Sequence, residues 1–281
     1  MNLSEIRNLL NDKDILLTRS LGQTFMHDQN QLRKIVRLAR LTPDDSVIEV
    51  GPGLGPLTER LLDTARHVTA IETDRRLVKL LEERLGQRDN FILQHADAMK
   101  LVRKAEFDWS SHKLVANLPY SIASPLLVDL AASAGRPSAM IVTLQLEVVQ
   151  RLLAQTATKE YGVLTLLIGL HYATGDSFVI PRGSFYPEPN VDSGCIKLLR
   201  RDTPLLPPEL CPTFKKIVKR VFAERRKKMM KLLKRDWPEA SVTEAFNSLG
   251  LDESIRAERV ALEQFAELTK HLGQALISNR E

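Results

Sequence analysis

A short β-branched run, Ser46 to Val50, breaks straight into Gly51-Pro52-Gly53-Leu54-Gly55, and a helical pattern begins after Pro56. No other stretch limits the possible folds as much. Proline suits a first helical position because its missing N–H would have had no partner there. Glycines let backbone N–H groups come close to a ligand, at a helix start that carries partial positive charge. The arrangement then repeats. Strand-like runs at His67 to Ile71, Phe91 to Gln94, Lys113 to Ala116 and Ala139 to Leu144 alternate with helical spacing at Arg75 to Leu85, Ser124 to Ala132 and Leu146 to Ala154. Strands and helices in alternation predict a parallel sheet covered on both faces.

Less regular segments flank this block. Met1 to Leu17 reads as an amphipathic helix followed by a connection, and Gln31 to Leu41 has helical spacing that stops before Pro43. Gly162 to Tyr172 is apolar throughout. Its length favours helix over strand. Ser177 to Ile180 and Gly194 to Leu199 read as a late hairpin pair, with a Pro-pinned loop, Phe185 to Ser193, between them. Beyond Asp202 come Pro204, Pro207, Pro208 and Pro212, and everything after this linker is helical in pattern. Residues 1–202 are therefore expected to form one domain with an N-terminal helical segment, and residues 203–281 a small helical one.

In open α/β sheets ligands sit at the C-terminal ends of the strands, near the switch point. Four successive strand ends carry suitable groups. The glycine turn permits close backbone approach. Glu72 has two carboxylate oxygens for a pair of ribose hydroxyls. Asp97 can accept from an adenine amine, and Asn117 stands beside them in Asn117-Leu118-Pro119-Tyr120. The Asn side chain and the adjoining carbonyls can accept from an exocyclic amine, and the Tyr ring can stack on the base that carries it. Adenosine cofactors in general fit this set. NAD fits less well, because the dinucleotide fingerprint G-x-G-x-x-G/A would end at Pro56. The methionine end of S-adenosylmethionine needs only that the turn stay small.

Charge separates the two halves. Lys215 to Arg235 holds eleven Lys or Arg and one acid, Glu224; at net +10 against +5 for the whole chain, the remainder is net −5. A concentrated positive segment on an acidic body points to a polyanionic partner. Arg225, Arg226, Lys227 and Lys228 are its densest run, expected to splay around a helix. Aromatics make up only 5% of the chain, which favours phosphate and shape recognition over base stacking. Cys195 and Cys211 have neither metal-ligand nor disulfide spacing, so no metal is expected. No apolar run approaches a membrane span, the N-terminus lacks a signal-peptide core, and a reducing cytoplasm is the expected home.

These motifs taken in order resemble the rRNA adenine N6,N6-dimethyltransferases of the KsgA type. The resemblance runs from about Thr18 to Leu268. It rests on Leu21-Gly22-Gln23-Thr24-Phe25-Met26, Glu49-Val50-Gly51-Pro52-Gly53-Leu54-Gly55, Glu72-Thr73-Asp74, Asp97-Ala98, Asn117-Leu118-Pro119-Tyr120 and Phe185-Tyr186-Pro187-Glu188-Pro189-Asn190-Val191-Asp192-Ser193. Phe222-Ala223-Glu224-Arg225-Arg226-Lys227 and Arg256-Ala257-Glu258-Arg259 complete it.

The resemblance implies a Rossmann-like α/β sheet of the S-adenosylmethionine-dependent methyltransferase kind, with an all-helical C-terminal domain that binds RNA. It implies that Gly51 meets the methionine end of the cofactor, Glu72 the ribose and Asp97 the adenine, with Asn117 also beside the cofactor. Thr24 and Met26 would close over it; the family more often has Asn and Leu there, and a backbone contact would survive both changes. Asn117 with the Leu118 or Pro119 carbonyl would hold the target amine, while Tyr120 and Phe185 would sandwich the extruded base. The implied substrate is two adjacent adenosines in a hairpin loop of 16S rRNA, within a pre-assembled small ribosomal subunit, for a chain expected to act as a monomer. The rival readings are a resistance-type methyltransferase of large-subunit rRNA, an assembly factor with vestigial catalysis, and an NAD-dependent dehydrogenase.

Overall fold

A computed structural model describes residues 1–13, 24–104 and 107–278. Leu21-Gly22-Gln23, and the part of the first helical reading beyond Lys13, lie outside them. In chain order come helix α1 (Leu3–Asp12), strand β1 (Phe25–Met26), α2 (Gln29–Ala39), β2 (Ser46–Val50), α3 (Pro56–Leu62), β3 (His67–Glu72), α4 (Arg75–Leu85), β4 (Phe91–His95), α5 (Ala98–Lys104), β5 (His112–Asn117), α6 (Tyr120–Ala132), β6 (Ala139–Gln145), α7 (Leu146–Leu153), α8 (Val163–Gly169), β7 (Tyr172–Ile180), β8 (Phe185–Tyr186) and β9 (Ser193–Arg200). Helices α9 (Cys211–Phe222), α10 (Met229–Leu233), α11 (Glu239–Ser248) and α12 (Leu262–Ser278) complete the chain.

Seven strands form one sheet in the order β4-β3-β2-β5-β6-β9-β7. β2 runs parallel to β3 and β5, β3 to β4 and β5 to β6, whereas β9 is antiparallel to β6. Strand order reverses about β2, which places the glycine turn at the switch point. The buried runs explain the strands. Val47, Ile48 and Val50 on β2, Leu114, Val115 and Ala116 on β5, and Met140 to Val142 on β6 are all enclosed, as a sheet covered on both faces requires. Leu32, Ile35 and Ala39 of α2 share a core with Leu57, Leu61, Val115, Ile141 and Cys195. α2 starts two residues before the sequence spacing suggests, because the Asp28 carboxylate accepts from the Asn30 and Gln31 N–H groups and caps it. A separate two-stranded ladder joins β1 to β8, with Phe25 opposite Tyr186 and Met26 opposite Phe185.

Two compact units result. One comprises residues 1–149 and 173–200, the other 150–172 and 201–281. The second thus takes in a segment that the sequence pattern assigns to 1–202. Apolarity accounts for it: Leu166, Leu167 and Ile168 of α8 are buried, and α8 packs on α9. Within this unit Phe214, Ile217, Val218 and Val221 turn one face of α9 into the core, and the Phe265 ring lies 6.5 Å from Phe214 and 6.3 Å from Phe222.

Candidate active site

The tips of β2, β3 and β5 and the start of α5, with the segment at Thr24, border a cavity of about 370 Å³. Gly51, at φ +69°, and Gly53, at φ +60°, shape its floor. A Cβ on Gly51 would fall 3.2 Å from the Pro119 ring, and one on Gly53 would fall 2.8 Å from Phe25 Cε1. Conformation strains a side chain at both positions, and space is tight at 51 and too short at 53 unless Phe25 shifts. The turn is tied down by Gly51 N–H donating to the Ile71 carbonyl (3.0 Å) and Gly55 N–H to Pro52 (2.9 Å). Arg84 bridges the Leu54 carbonyl and Glu59.

Three acids reach the wall. Glu72 is 6% exposed. Its Oε1 accepts from the Thr73 and Asp74 N–H groups (2.8 and 2.9 Å), and its Oε2 accepts from Gly53 N–H at 3.3 Å. Burial raises its pKa on balance, although these three donors pull the other way. With three acceptor positions filled, Oε2 keeps the spare capacity. Asp97 does two jobs: Oδ1 accepts from Met99 N–H at 2.9 Å and starts α5, while the residue lines the cavity. Glu49 is the acid to which sequence reasoning gave no role. It is 1% exposed, Oε2 has no hydrogen-bond partner among the described residues, and burial pushes its pKa up to about 8, aided by repulsion from Glu72. The available signal was one carboxylate inside an otherwise β-branched strand.

Asn117 closes β5. Its Nδ2 donates to the Thr24 carbonyl at 3.5 Å, a long contact, and its Oδ1 is buried without a partner among the described residues. Leu118 lines the cavity beside it. The Pro119 carbonyl does not serve as a second acceptor, because it takes the first helical N–H groups of α6, from Ile122 and Ala123, both at 3.1 Å. That leaves the Leu118 carbonyl. Tyr120 is half-buried, with its hydroxyl 2.6 Å from Ser193 Oγ. Phe185 departs from expectation. At 2% exposed it is a core residue packed with Met26 and Leu32, so its ring has no open face for a base. The β1–β8 ladder turns it inward. Thr24 and Met26 both line the cavity.

The basic run also differs from the expectation. Arg225, Arg226, Lys227 and Lys228 are all exposed, but they form the turn between α9 and α10, not a helix face. Four adjacent cations repel one another, and the turn is fastened instead by Lys227 N–H to the Glu224 carbonyl (2.8 Å) and Met229 N–H to Ile255 (2.9 Å). Lys228, Lys231 and Lys234, with Glu253, line an open hollow next to it.

A doubly covered sheet with one antiparallel strand near its edge, a glycine turn at the switch point and acids on the next two strand tips defines the class: a Rossmann-like methyltransferase fold. Comparison with known proteins agrees. Residues 16–274 match the family model described as ribosomal RNA adenine dimethylase. A ribosomal RNA small subunit methyltransferase A from Lactococcus lactis is 36% identical over 96% of this chain and 97% of its own, and one from Syntrophus aciditrophicus is 35% identical over 95% and 98%. Among solved structures, the 23S rRNA methyltransferase ErmE gives a TM-score of 0.67 at 29% identity over 89% of this chain and 100% of its own. A dimethyladenosine transferase from Plasmodium falciparum gives 0.78 at 22% identity over 89% and 98%, a likeness of fold. The chain belongs to the ribosomal RNA adenine dimethylase family.

Proposed function

We propose that this chain dimethylates N6 of two adjacent adenosines in a hairpin loop of 16S rRNA, using S-adenosylmethionine and acting on a pre-assembled small subunit as a monomer. One observation carries the reading: the buried Oδ1 of Asn117, an acceptor without a donor among the described residues, on a residue that lines the same cavity as Glu72 and Asp97. The names of the relatives favour the small-subunit RNA.

The residues present fit the cofactor. The Cβ-free floor at Gly51 and Gly53 accepts a small amino-acid end, Glu72 Oε2 has room for a ribose hydroxyl, and Asp97 can take an adenine amine. A second ribose hydroxyl at Glu72 would compete with the 3.3 Å contact from Gly53, the longest of the three. Bound S-adenosylmethionine would supply an electrophilic methyl group.

The N6 amine is a poor nucleophile because its lone pair is conjugated into the ring. Asn117 Oδ1 and the Leu118 carbonyl accept its two hydrogens, which favours a pyramidal nitrogen with its lone pair directed outward. Positioning and fixed dipoles supply most of the barrier reduction. No strong base is needed, since the methylated amine sheds its proton readily. The Tyr120 ring, fixed through Ser193, offers one face to a flipped base. Phosphates of the RNA are met by Arg226, Lys227 and Lys228, and Arg225 stands with them.

The test is methyl transfer from labelled donor to unmethylated small subunits, followed by mapping of the modified bases; two neighbouring dimethyladenosines are expected. Asn117→Ala should lower turnover by roughly 100-fold or more, the usual effect of removing a positioned polar group, with RNA affinity unchanged. Near-normal turnover would refute the role given to Asn117.

A further inference from the structure

Gln155 to Glu160 is six exposed residues in succession within the second unit. Such a loop buries nothing, yet it is fastened at several points. Ala157 N–H donates to the Glu258 carbonyl at 2.7 Å. Thr158 turns back on Gln155, its N–H and Oγ1 both donating to that carbonyl (3.3 and 2.7 Å). Arg225 reaches across from the basic turn: Nη1 donates to the Lys159 carbonyl at 2.8 Å and Nη2 to Thr158 at 3.5 Å. The guanidinium lies 5.7 Å from the Phe222 ring, and that ring meets Tyr161 edge-on at 6.2 Å. Ala157 is held at φ +66°, a left-handed conformation that a residue with a Cβ adopts only where its surroundings impose it. Strain and ties spent on a solvent-facing loop indicate that its shape is used.

Arg225 also stands apart from its neighbours. Two of its five N–H donors, one on each Nη, go to loop carbonyls and the guanidinium rests near an aromatic ring, so it cannot turn both Nη groups to a phosphate without releasing the loop. We propose that Arg225 is a positioning residue, not a phosphate contact. It presents the 155–160 loop as a second RNA-facing segment beside Arg226, Lys227 and Lys228. Lys159 provides the loop's cation, and the exposed Thr156 hydroxyl provides a neutral phosphate donor of the usual kind. The Glu160 carboxylate next door offsets part of the Lys159 charge. This inference rests on the reading of the basic turn as an RNA surface.

Affinity for unmethylated small subunits, titrated against salt, tests it together with trypsin cleavage after Lys159 in the free protein. Arg226→Ala and Lys159→Ala should each flatten the salt dependence, by up to about 0.7–0.9 in log–log slope per lost contact. Arg225→Ala should weaken binding and speed cleavage after Lys159, a readout that loss of a phosphate contact leaves unmoved. Adding Lys159→Ala to Arg225→Ala should then cost less than about twofold, because the loop has already lost its placement. Additive losses with unchanged cleavage would make Arg225 a phosphate contact and overturn the proposal. If Arg226→Ala flattens the slope and Lys159→Ala does not, the loop alone is removed from the RNA surface. If neither does, the basic turn itself is not that surface, and the inference goes with it.

Discussion

Replacing Glu49 with glutamine isolates one buried proton. The Glu49 carboxyl is 1% exposed, faces Thr58 and Glu72, and has its pKa pushed from 4.5 to about 8 by burial first and by Glu72 repulsion. A raised pKa fixes the sign. Below about pH 4.5 both folded and unfolded chains hold the proton; between that value and about 8 only the folded chain does. Stability is therefore lost as pH rises through this window, by at most about 1.4 kcal/mol per pH unit and on the order of 5 kcal/mol in total. A glutamine side chain has the same shape and no proton to lose, so Glu49→Gln lacks this slope and becomes steadily more stable relative to the parent from pH 5 to pH 8. Glu72, also raised by burial, contributes the same sign to both proteins and largely cancels. Urea unfolding at pH 5, 6, 7 and 8 measures the difference. The two tryptophans lie in different units, Trp109 just before β5 in the unit that holds the sheet and Trp237 among the helices, so a Trp237→Phe background lets fluorescence follow the first unit alone. Parallel stability curves for the two proteins would mean that Glu49 is ionised at neutral pH, and the argument from burial would fail.

Gly53→Ala should cost about 1–2 kcal/mol for a left-handed alanine plus about 1–3 kcal/mol for pressing on the Phe25 ring, and it should weaken S-adenosylmethionine binding more than tenfold by calorimetry; unchanged unfolding and affinity would show the turn to be tolerant. Phe185→Leu should lose about 1 kcal/mol of stability, as a core swap of similar volume does, with turnover within about threefold; a large fall in kcat at preserved stability would restore the ring to the substrate. Thr24→Ala should leave turnover within about threefold, because Asn117 uses the Thr24 carbonyl and not its hydroxyl; a hundredfold loss would assign the side chain a direct part.

The sequence displays position better than burial. Strand–turn–helix order, the switch-point glycines and the acids at Glu72 and Asp97 are legible from periodicity and spacing, and the structure brings them to one cavity. Three features escaped because they depend on neighbours distant in the chain. Phe185 sits among prolines and polar residues, surroundings typical of a surface, yet pairing of Phe185 with Met26 turns its ring into the core. Four consecutive cations look like a helix segment when only the flanking apolar stripe is read, but their repulsion and the pull of the Lys159 carbonyl on Arg225 leave a turn. Residues 150–172 precede the proline-rich linker and still belong with the helices beyond it, because α8 finds its apolar complement on α9. Hydrophobic pattern tells that a face is buried, not against which element.

The chemistry of the cavity depends on unequal treatment of similar groups. Glu49 and Glu72 stand close enough to repel, and two carboxylates in such surroundings cannot both ionise cheaply. Three backbone donors offset part of the burial that raises the Glu72 pKa, whereas burial and the partnerless oxygen of Glu49 favour its proton, so the two acids are treated unequally. The amide of Asn117 is sorted in the same manner. Its NH2 end has the Thr24 carbonyl within reach, and that contact leaves Oδ1, not Nδ2, as the free end. Such a free end can accept from an amine, which a donor would repel. The Gly51–Pro119 approach links this end of the site to the cradle, since any residue at 51 larger than glycine would press on Pro119. Cradle, acid and amide thus line one cavity across three strand tips, and a change at any of them should disturb the other two.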